Sequence, residues 1–527
     1  MTKEVSAVEL EIYRTLFKSI ADEMGTVLKR TAYSPNIKER RDYSCAVFDA
    51  QAEVVAMGDH MPVHLGSMPM SVQTAVKSFE LQPGDVVILN DPYDGGTHLP
   101  DITLIMPVFP PRRTRPCAYV ASRAHHSDVG GMSPGSMPLS QEIFQEGIRI
   151  PPVKLYREGE LNQDLLKTLL YNVRTPVERE GDLAAQLASL RVGEKRLLEL
   201  IERNDLGELT AAMQALQTYA QRVSEALLES IPDGSYKGED HLDDDGAGGS
   251  DHVKIALELR VENNRLTADF SQSDPQVKGC LNAVEAITTS AVNYVIRCLA
   301  PPDTPSAAGL MRPVKVVAPE GTIVNARFPA ATAAGNVETS QRIVDVVLRA
   351  FAEAIPDVIP AASSGTMNNL TVGGLHPANG EPFSYYETMG GGMGAGPKGD
   401  GDSGIHTHMT NSLNTPVEAL ERYFPFRIRE YRMRSNSGGR GEYNGGDGLV
   451  RSIEFLSECQ ITILSERRKT APYGLKGGRN GKRGSNQLVL RGRRKRLPGK
   501  ASTQVMQAEV LMVETPGGGG WGRKKKN

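Results

Sequence analysis

Glycine divides this 527-residue chain into stretches that can hold long helices and stretches that cannot. Residues 165–229 are almost without it and are rich in Leu, Ala, Glu and Arg, residues that lose little on entering a helix. Two or three long helices packed as hairpins are predicted there. From Met389 onward glycine dominates, in GGGMGAGPKGDGDSG, SGGRGEYNGG, GLKGGRNGKRG and PGGGGWG. These glycines keep no fixed period, which excludes collagen and a solenoid. They predict a β-rich C-terminal region of tight turns and close backbone approaches.

Periodicity supplies the remaining elements. Leu10, Tyr13, Leu16, Phe17, Ile20, Met24 and Leu28 recur at helical spacing, so residues 7–31 read as an amphipathic helix. SCAVFDAQAEVVAMG alternates around 49–51 and reads as two strands joined by a hairpin turn. A helix is predicted over 68–79, strands over 85–89, 102–108 and 118–122. Residues 231–250 read as a loop, followed by strands at 253–261 and 265–270 around a turn at 262–264. Helices return at 282–298 and 338–355. At roughly one domain per 150 residues, two to four units are expected. The fold class is therefore α+β or mixed α/β and multi-domain. Its expected parts are an N-terminal metal-binding α/β region with helical hairpins (1–230), a central α/β region (231–388) and the Gly-rich β-rich region (389–527).

The formal net charge of -3 gives no electrostatic reason for nucleic acid or an anionic membrane as partner. The first residues, MTKEVSAVELE, lack the basic and apolar regions of a secretory signal, and no apolar run is long enough to span a bilayer. Cys45, Cys117, Cys280, Cys298 and Cys459 are scattered and never form a CxxC pair, which suits a reducing compartment. A cytoplasmic protein with a solvated basic tail (RKKKN) is expected. No phosphate-binding loop is present, since Arg483 stands where GGRNGKRGS would need Ser or Thr. No GxSxG elbow supports a serine nucleophile.

Histidine carries the chemistry. In NDPYDGGTHLPD, His98 and Asp101 sit three apart directly after an expected strand. In RAHHSDVGG, His125, His126 and Asp128 leave another strand and enter a glycine loop. If the strands are neighbours, both loops open at one end and aim at a common point. Imidazole with carboxylate suits Zn, Mn or Fe(II), and two His with one or two Asp leave coordination positions open. Asp42, in ERRDYSCA, is a further candidate ligand. Each cluster alone also suits a hydrogen-bonded loop clasp, Asp128 an ordinary turn residue, and Arg40, Arg41, Arg123 and Arg342 either anion binding or ion pairing.

At these clusters the chain resembles the hydantoinase B/oxoprolinase family. The resemblance runs through ERRDYSCAVFD, GDHMPVHLGSMP, NDPYDGGTHLPD, RAHHSDVGGMSPGS, DFSQSDPQVKGCLN, GNVETSQRIVD, SNSGGRGEYNGGDGLVR, ERRKTAPYGLKGG and ETPGGGGWG, in order along almost the whole chain. It implies the metal-binding subunit of an ATP-dependent enzyme that hydrolyses a cyclic amide such as a hydantoin, 5-oxoproline or a lactam. Relatives of the ketone carboxylase type give the alternative. It implies one divalent metal (Mn, Zn or Fe) held by Asp42, His98, Asp101 and His126, with His125 as the substitute if the adjacent position faces the metal. Asp128 would be a general base or an orienting residue. It also implies a hydantoinase A-like partner, which would use ATP and Mg in a heterotetramer and activate the small-molecule substrate. Much of the partner contact is expected on the glycine-rich half.

Overall fold

The structure, a computed structural model, describes residues 5–524. Residues 525–527 of the expected tail lie outside the described residues.

Ser6 and Glu9 form a reciprocal capping box that starts α1 (Ala7–Thr31) where the periodicity predicts. Its stripe of Tyr13, Phe17, Ile20, Met24 and Leu28 is buried. After the single turn α2 (Pro35–Lys38) come β1 (Tyr43–Asp49), β2 (Val54–Met57), α3 (Ser67–Ser78), β3 (Val86–Leu89), β4 (Asp101–Val108), β5 (Ala118–His125), β6 (Val153–Arg157) and β7 (Glu160–Leu161). They form one sheet in the order β2-β1-β5-β4-β3-β6-β7. Three helices follow in the glycine-poor stretch: α4 (Gln163–Tyr171), α5 (Pro176–Asn204) and α6 (Leu206–Glu229). Gln186 of α5 bonds the carbonyls of Ile102 and Ser122, while Arg123 reaches Ser67 and Ser71 of α3 from the opposite face. The sheet is thus covered on both sides, and every residue of β1, β4 and β5 is buried.

The next sheet has the order β11-β10-β9-β8 and consists of β8 (Gly234–Asp244), β9 (Asp251–Glu262), β10 (Arg265–Asp269) and β11 (Val314–Val317). Helices α7 (Glu285–Leu299) and α8 (Ser340–Ala354) pack with it. The expected loop at 231–250 is largely the strand β8. Its acidic residues mimic loop composition, yet Asp240 and Asp243 are buried and bonded to Arg342, Arg467, and the Arg468 and Thr470 amides. A polar strand is stable inside a protein once each charge has a partner.

The C-terminal part holds β12 (Asn369–Leu375), β13 (Pro382–Glu387), α9 (Val417–Tyr423), β14 (Phe426–Arg434), β15 (Gly448–Phe455), β16 (Cys459–Leu464), β17 (Ser485–Leu490), β18 (Arg493–Leu497), β19 (Lys500–Val505) and β20 (Val510–Glu514). Two sheets result, β13-β12-β16-β19 and β14-β15-β20-β17-β18. The first draws β12 and β13 from before residue 389, so the change in glycine content does not coincide with a structural seam. Glycine marks turns and close approaches, not strand partnership. A Cβ on Gly518 would lie 2.0 Å from the Met393 carbonyl oxygen, and one on Gly392 would lie 1.9 Å from that of Gly446. At these positions the glycines bring segments of this one chain together. Among the described residues, no helix is long and apolar enough to cross a membrane, and all five cysteines are free thiols.

The two C-terminal sheets share one fully buried pair: Arg451 of β15 clasps Glu387 of β13 at 2.8 and 3.0 Å. Removing one partner leaves a buried charge uncompensated. Arg451→Met is expected to cost about 3–5 kcal/mol in urea unfolding. The double variant Arg451→Met, Glu387→Met should recover most of that loss; equal stability of the single and double variants would show the pair to be unimportant.

Candidate metal centre

Strands β4 and β5 pair antiparallel with Asp101 opposite His125. Residues opposite one another share a face of the sheet, and successive residues alternate faces. Asp101 and His125 therefore lie on the α3 side, together with Thr103, Arg123 and Ser44. The loop before β4 brings His98 over the same spot. His98 Nε2, Asp101 Oδ1 and His125 Nδ1 stand 3.1–3.2 Å from one another, all three residues at most 2% exposed. Among the described residues this is the group of three ligand-type side chains that can hold a metal ion.

The donors fit such an ion. Bonds of about 2.0–2.1 Å in tetrahedral geometry put neighbouring ligand atoms about 3.3 Å apart. His98 Nδ1 lies 3.2 Å from the Ala333 carbonyl oxygen, which favours the tautomer with a lone pair on Nε2. Glu146 supports that carbonyl from behind, accepting the Thr332 and Ala333 amides at 2.8 and 2.9 Å and the Ser140 hydroxyl at 2.6 Å. Thr97 Oγ1 donates to Asp101 Oδ2 at 2.7 Å. Burial opposes charge on both His98 and Asp101, yet each outweighs it for the other. The carboxylate raises the His98 pKa, and His98, with hydrogen bonds from His125 and His64, holds the Asp101 carboxyl well below its usual range.

Two contributors carry no sequence signal that singles them out. His64, in GDHMPVHLG, places Nε2 3.4 Å from Asp101 Oδ2, while its Nδ1 meets Ser44 Oγ at 2.8 Å. The ring is buried, and burial depresses its pKa against the pull of Asp101. Asn336 belongs to a π-helical turn, Gly335–Thr339, immediately before α8. Its Nδ2 donates to His98 Nε2 at 2.9 Å and reaches Asp101 Oδ2 at 3.4 Å, leaving Oδ1 buried and unpartnered. Turned over, the same amide offers an oxygen to the cluster. π-Turns are frequent at functional sites because the extra residue re-aims a side chain.

The other sequence candidates fall elsewhere. His126 continues past β5 onto the α5 face, where Nε2 meets Gln186 Oε1 at 2.9 Å; burial, with Arg179 nearby, lowers its pKa to about 4. Asp128 is engaged by the Gly130 and Gly135 amides and by the backbone and guanidinium of Arg174, so it organises the glycine loop. Asp42, at the start of β1, accepts the His125 amide on its carbonyl at 3.0 Å, and its negative charge reaches His64 and Tyr386. Arg40 bonds Asn36, Thr388, Ser412 and two carbonyls, Arg123 bonds hydroxyls of Thr103, Ser67 and Ser71, and Arg342 pairs with Asp240 and Asp345. Tyr386 stacks on His125 with ring centroids 4.6 Å apart.

Comparison with known proteins adds to this geometry. The profile of the hydantoinase B/oxoprolinase family matches residues 6–524. An uncharacterized protein of Methanocaldococcus jannaschii is 40% identical, over 98% of this chain and 90% of its own length. 5-Oxoprolinase 1 of Arabidopsis thaliana is also 40% identical over 98% of this chain, which spans only 42% of that longer relative. Among solved structures, the ATP-dependent caprolactamase of Pseudomonas jessenii superposes with a TM-score of 0.92 at 28% identity, covering 99% of this chain and 92% of that one.

The geometry separates the adjacent histidines. Protein produced with Mn, Fe and Zn available is expected to hold about one divalent ion per chain by elemental analysis. His98→Ala, Asp101→Ala or His125→Ala should remove most of it, while His126→Ala should keep it. Metal lost from His126→Ala and kept by His125→Ala would reverse the assignment.

Proposed function

The chain belongs to the hydantoinase B/oxoprolinase family, and on that premise we propose that it is the metal-binding subunit of an ATP-dependent enzyme that opens a cyclic amide. The observation that carries this reading is the convergence of His98, Asp101 and His125 in one buried cluster of three ligand-type side chains. A structural site uses four protein ligands, whereas three such ligands would leave one position of a tetrahedral ion open.

His98, Asp101 and His125 would hold the ion, with the Asn336 side chain, in contact with His98 and Asp101, near enough to complete or adjust the set. When bound, a divalent cation supplies Lewis acidity toward a carbonyl or phosphoryl oxygen and lowers the pKa of water. The chain's own residues do the rest. Ala333 and Glu146 fix the His98 ring, Tyr386 shields one face of His125 from water, and His64 Nε2 is placed to take or give a proton beside Asp101. Asp128 serves by positioning the glycine loop and is not assigned a proton.

An unstrained amide is a poor electrophile, and this sequence contains no recognisable phosphate loop. We therefore assign activation by ATP and Mg to a hydantoinase A-like partner, joined to this chain in a cytoplasmic heterotetramer with two-fold symmetry. The lengths of the relatives support a division of labour. The matched region is two fifths of the Arabidopsis 5-oxoprolinase 1 but nearly all of the caprolactamase chain. Enclosing both steps in one assembly keeps an activated amide away from bulk water.

The test is to purify the chain with an ATP-using partner and follow ADP release and ring-opened product with hydantoins, 5-oxoproline, lactams and ketones. Substrate-dependent ADP release with a ring-opened product is expected. His98→Ala should abolish ring opening, and Asn336→Ala should lower it about 10–100-fold. Full-rate ring opening by the isolated chain without ATP, or a carboxylated ketone as the product, would replace this reading.

A further inference from the structure

A cavity of ≈ 440 Å³ lies between the C-terminal half of α7, Leu348 of α8 and the segment 405–411. Sites for small molecules commonly fall between about 300 and 1,000 Å³, mostly apolar with a few convergent polar groups. This one has that make-up. Leu299, Leu348, Ile359 and Met393 give an apolar wall, Tyr294 and the histidines 406 and 408 give polar groups, and neither a metal-cluster residue nor a Lys or Arg lines it.

The polar groups are built in and unfinished. His406 Nε2 and His408 Nε2 are both buried without a hydrogen-bond partner. His408 adopts φ 57°, a left-handed conformation that side chains other than glycine rarely take. Its ring lies with Nδ1 3.4 Å from the Tyr294 hydroxyl and Nε2 4.0 Å from Asp345 Oδ1, which is itself unpartnered. Burial lowers the pKa of both imidazoles to about 4, so they meet a ligand as neutral rings. Strained backbone combined with orphaned hydrogen-bonding atoms is a cost that a fold tolerates where a ligand is held.

We propose that this cavity is a binding site for an uncharged ring amide, with its carbonyl taken by the Tyr294 hydroxyl and its N–H by a neutral imidazole. The choice of ligand rests on the cyclic-amide reading above; the site itself rests on the cavity. A neutral donor–acceptor pair in an apolar wall matches the donor–acceptor edge of a lactam and offers no counter-charge to a carboxylate or phosphate. The cavity shares no lining residue with the His98–Asp101–His125 cluster. The Val63 amide donates to the Met409 carbonyl at 3.2 Å and Asn411 Nδ2 to the His60 carbonyl at 2.8 Å, tying the cavity's wall to the segment that carries His64.

Cys298 lines the same cavity and is exposed, which provides a reporter. The full chain is treated with iodoacetamide, and alkylation of Cys298 is followed by peptide mass spectrometry with ε-caprolactam, 2-pyrrolidinone or 5-oxoproline added. Either neutral lactam is expected to slow labelling in the parent chain and equally in His98→Ala, whereas anionic 5-oxoproline should not. Tyr294→Phe removes the hydroxyl's bond to the ligand along with those to His408 and Cys298, so its labelling is compared with its own rate without lactam; the lactam concentration needed for half-protection should rise about fivefold. No protection by either lactam, equal protection by 5-oxoproline, or no effect of Tyr294→Phe would overturn the proposal. Protection lost in His98→Ala would also overturn it, by placing the ligand at the metal centre. Failure of ring opening with protection intact would instead count only against the cyclic-amide reading.

Discussion

A carboxylate removed from water must be given a cation or several donors, and this molecule is organised around meeting that demand in two places. At the junction of its sheets, Asp240 of β8 and Asp345 of α8 are held by Arg342 and Arg467, with contacts of 2.6 Å from Arg467 to each. Glu466 is held there by Lys500. These residues come from the central sheet, from α8 and from the C-terminal lobe, so no one part can satisfy its charges alone. At the other place, Asp101 is surrounded by three imidazoles.

The two places are mechanically connected. Helix α8 carries Arg342 and Asp345 in the junction and is entered through the π-turn that bears Asn336 and Glu338. Glu338 accepts the Met367 amide at 3.0 Å and Asn369 Nδ2 at 2.7 Å; Asn369 in turn receives the Tyr386 hydroxyl at 2.8 Å. Tyr386 stacks on His125, and Asn336 touches His98. Burial, with Glu466 nearby, raises the Glu338 pKa to about 8. The rigidity of the His98–Asp101–His125 cluster is thus supplied in part by residues more than two hundred positions further along the chain.

Much of this was legible before any tertiary contact was known. The α1 stripe and its cap are local, so its boundaries follow from spacing alone. The β1–β2 hairpin and the three helices between residues 163 and 229 are likewise set by neighbours in sequence. Strand β8 was not legible, because an acidic, glycine-bearing stretch reads as loop until the arginines that pair with it are brought in from residues 342 and 467. His64 and Asn336 were hidden for a similar reason. His64 lies in GDHMPVHLGSMP and Asn336 in GNVETSQRIVD, but nothing within either segment aims it at Asp101, and their roles come from what the fold sets opposite them.

His98, Asp101, His125 and His126 show where the division falls. The sequence by itself determined that imidazoles and carboxylates would gather in two glycine-bounded segments, because those residue types and turns are local facts. Which of the two adjacent histidines faces Asp101 was decided by the length of β5, which runs through His125, and by its register against β4. A strand alternates its side chains, so one residue more or less of pairing exchanges the Asp101-facing position for the helix-facing one. That register is a long-range outcome of packing both faces of the sheet, and no spacing within a single segment encodes it.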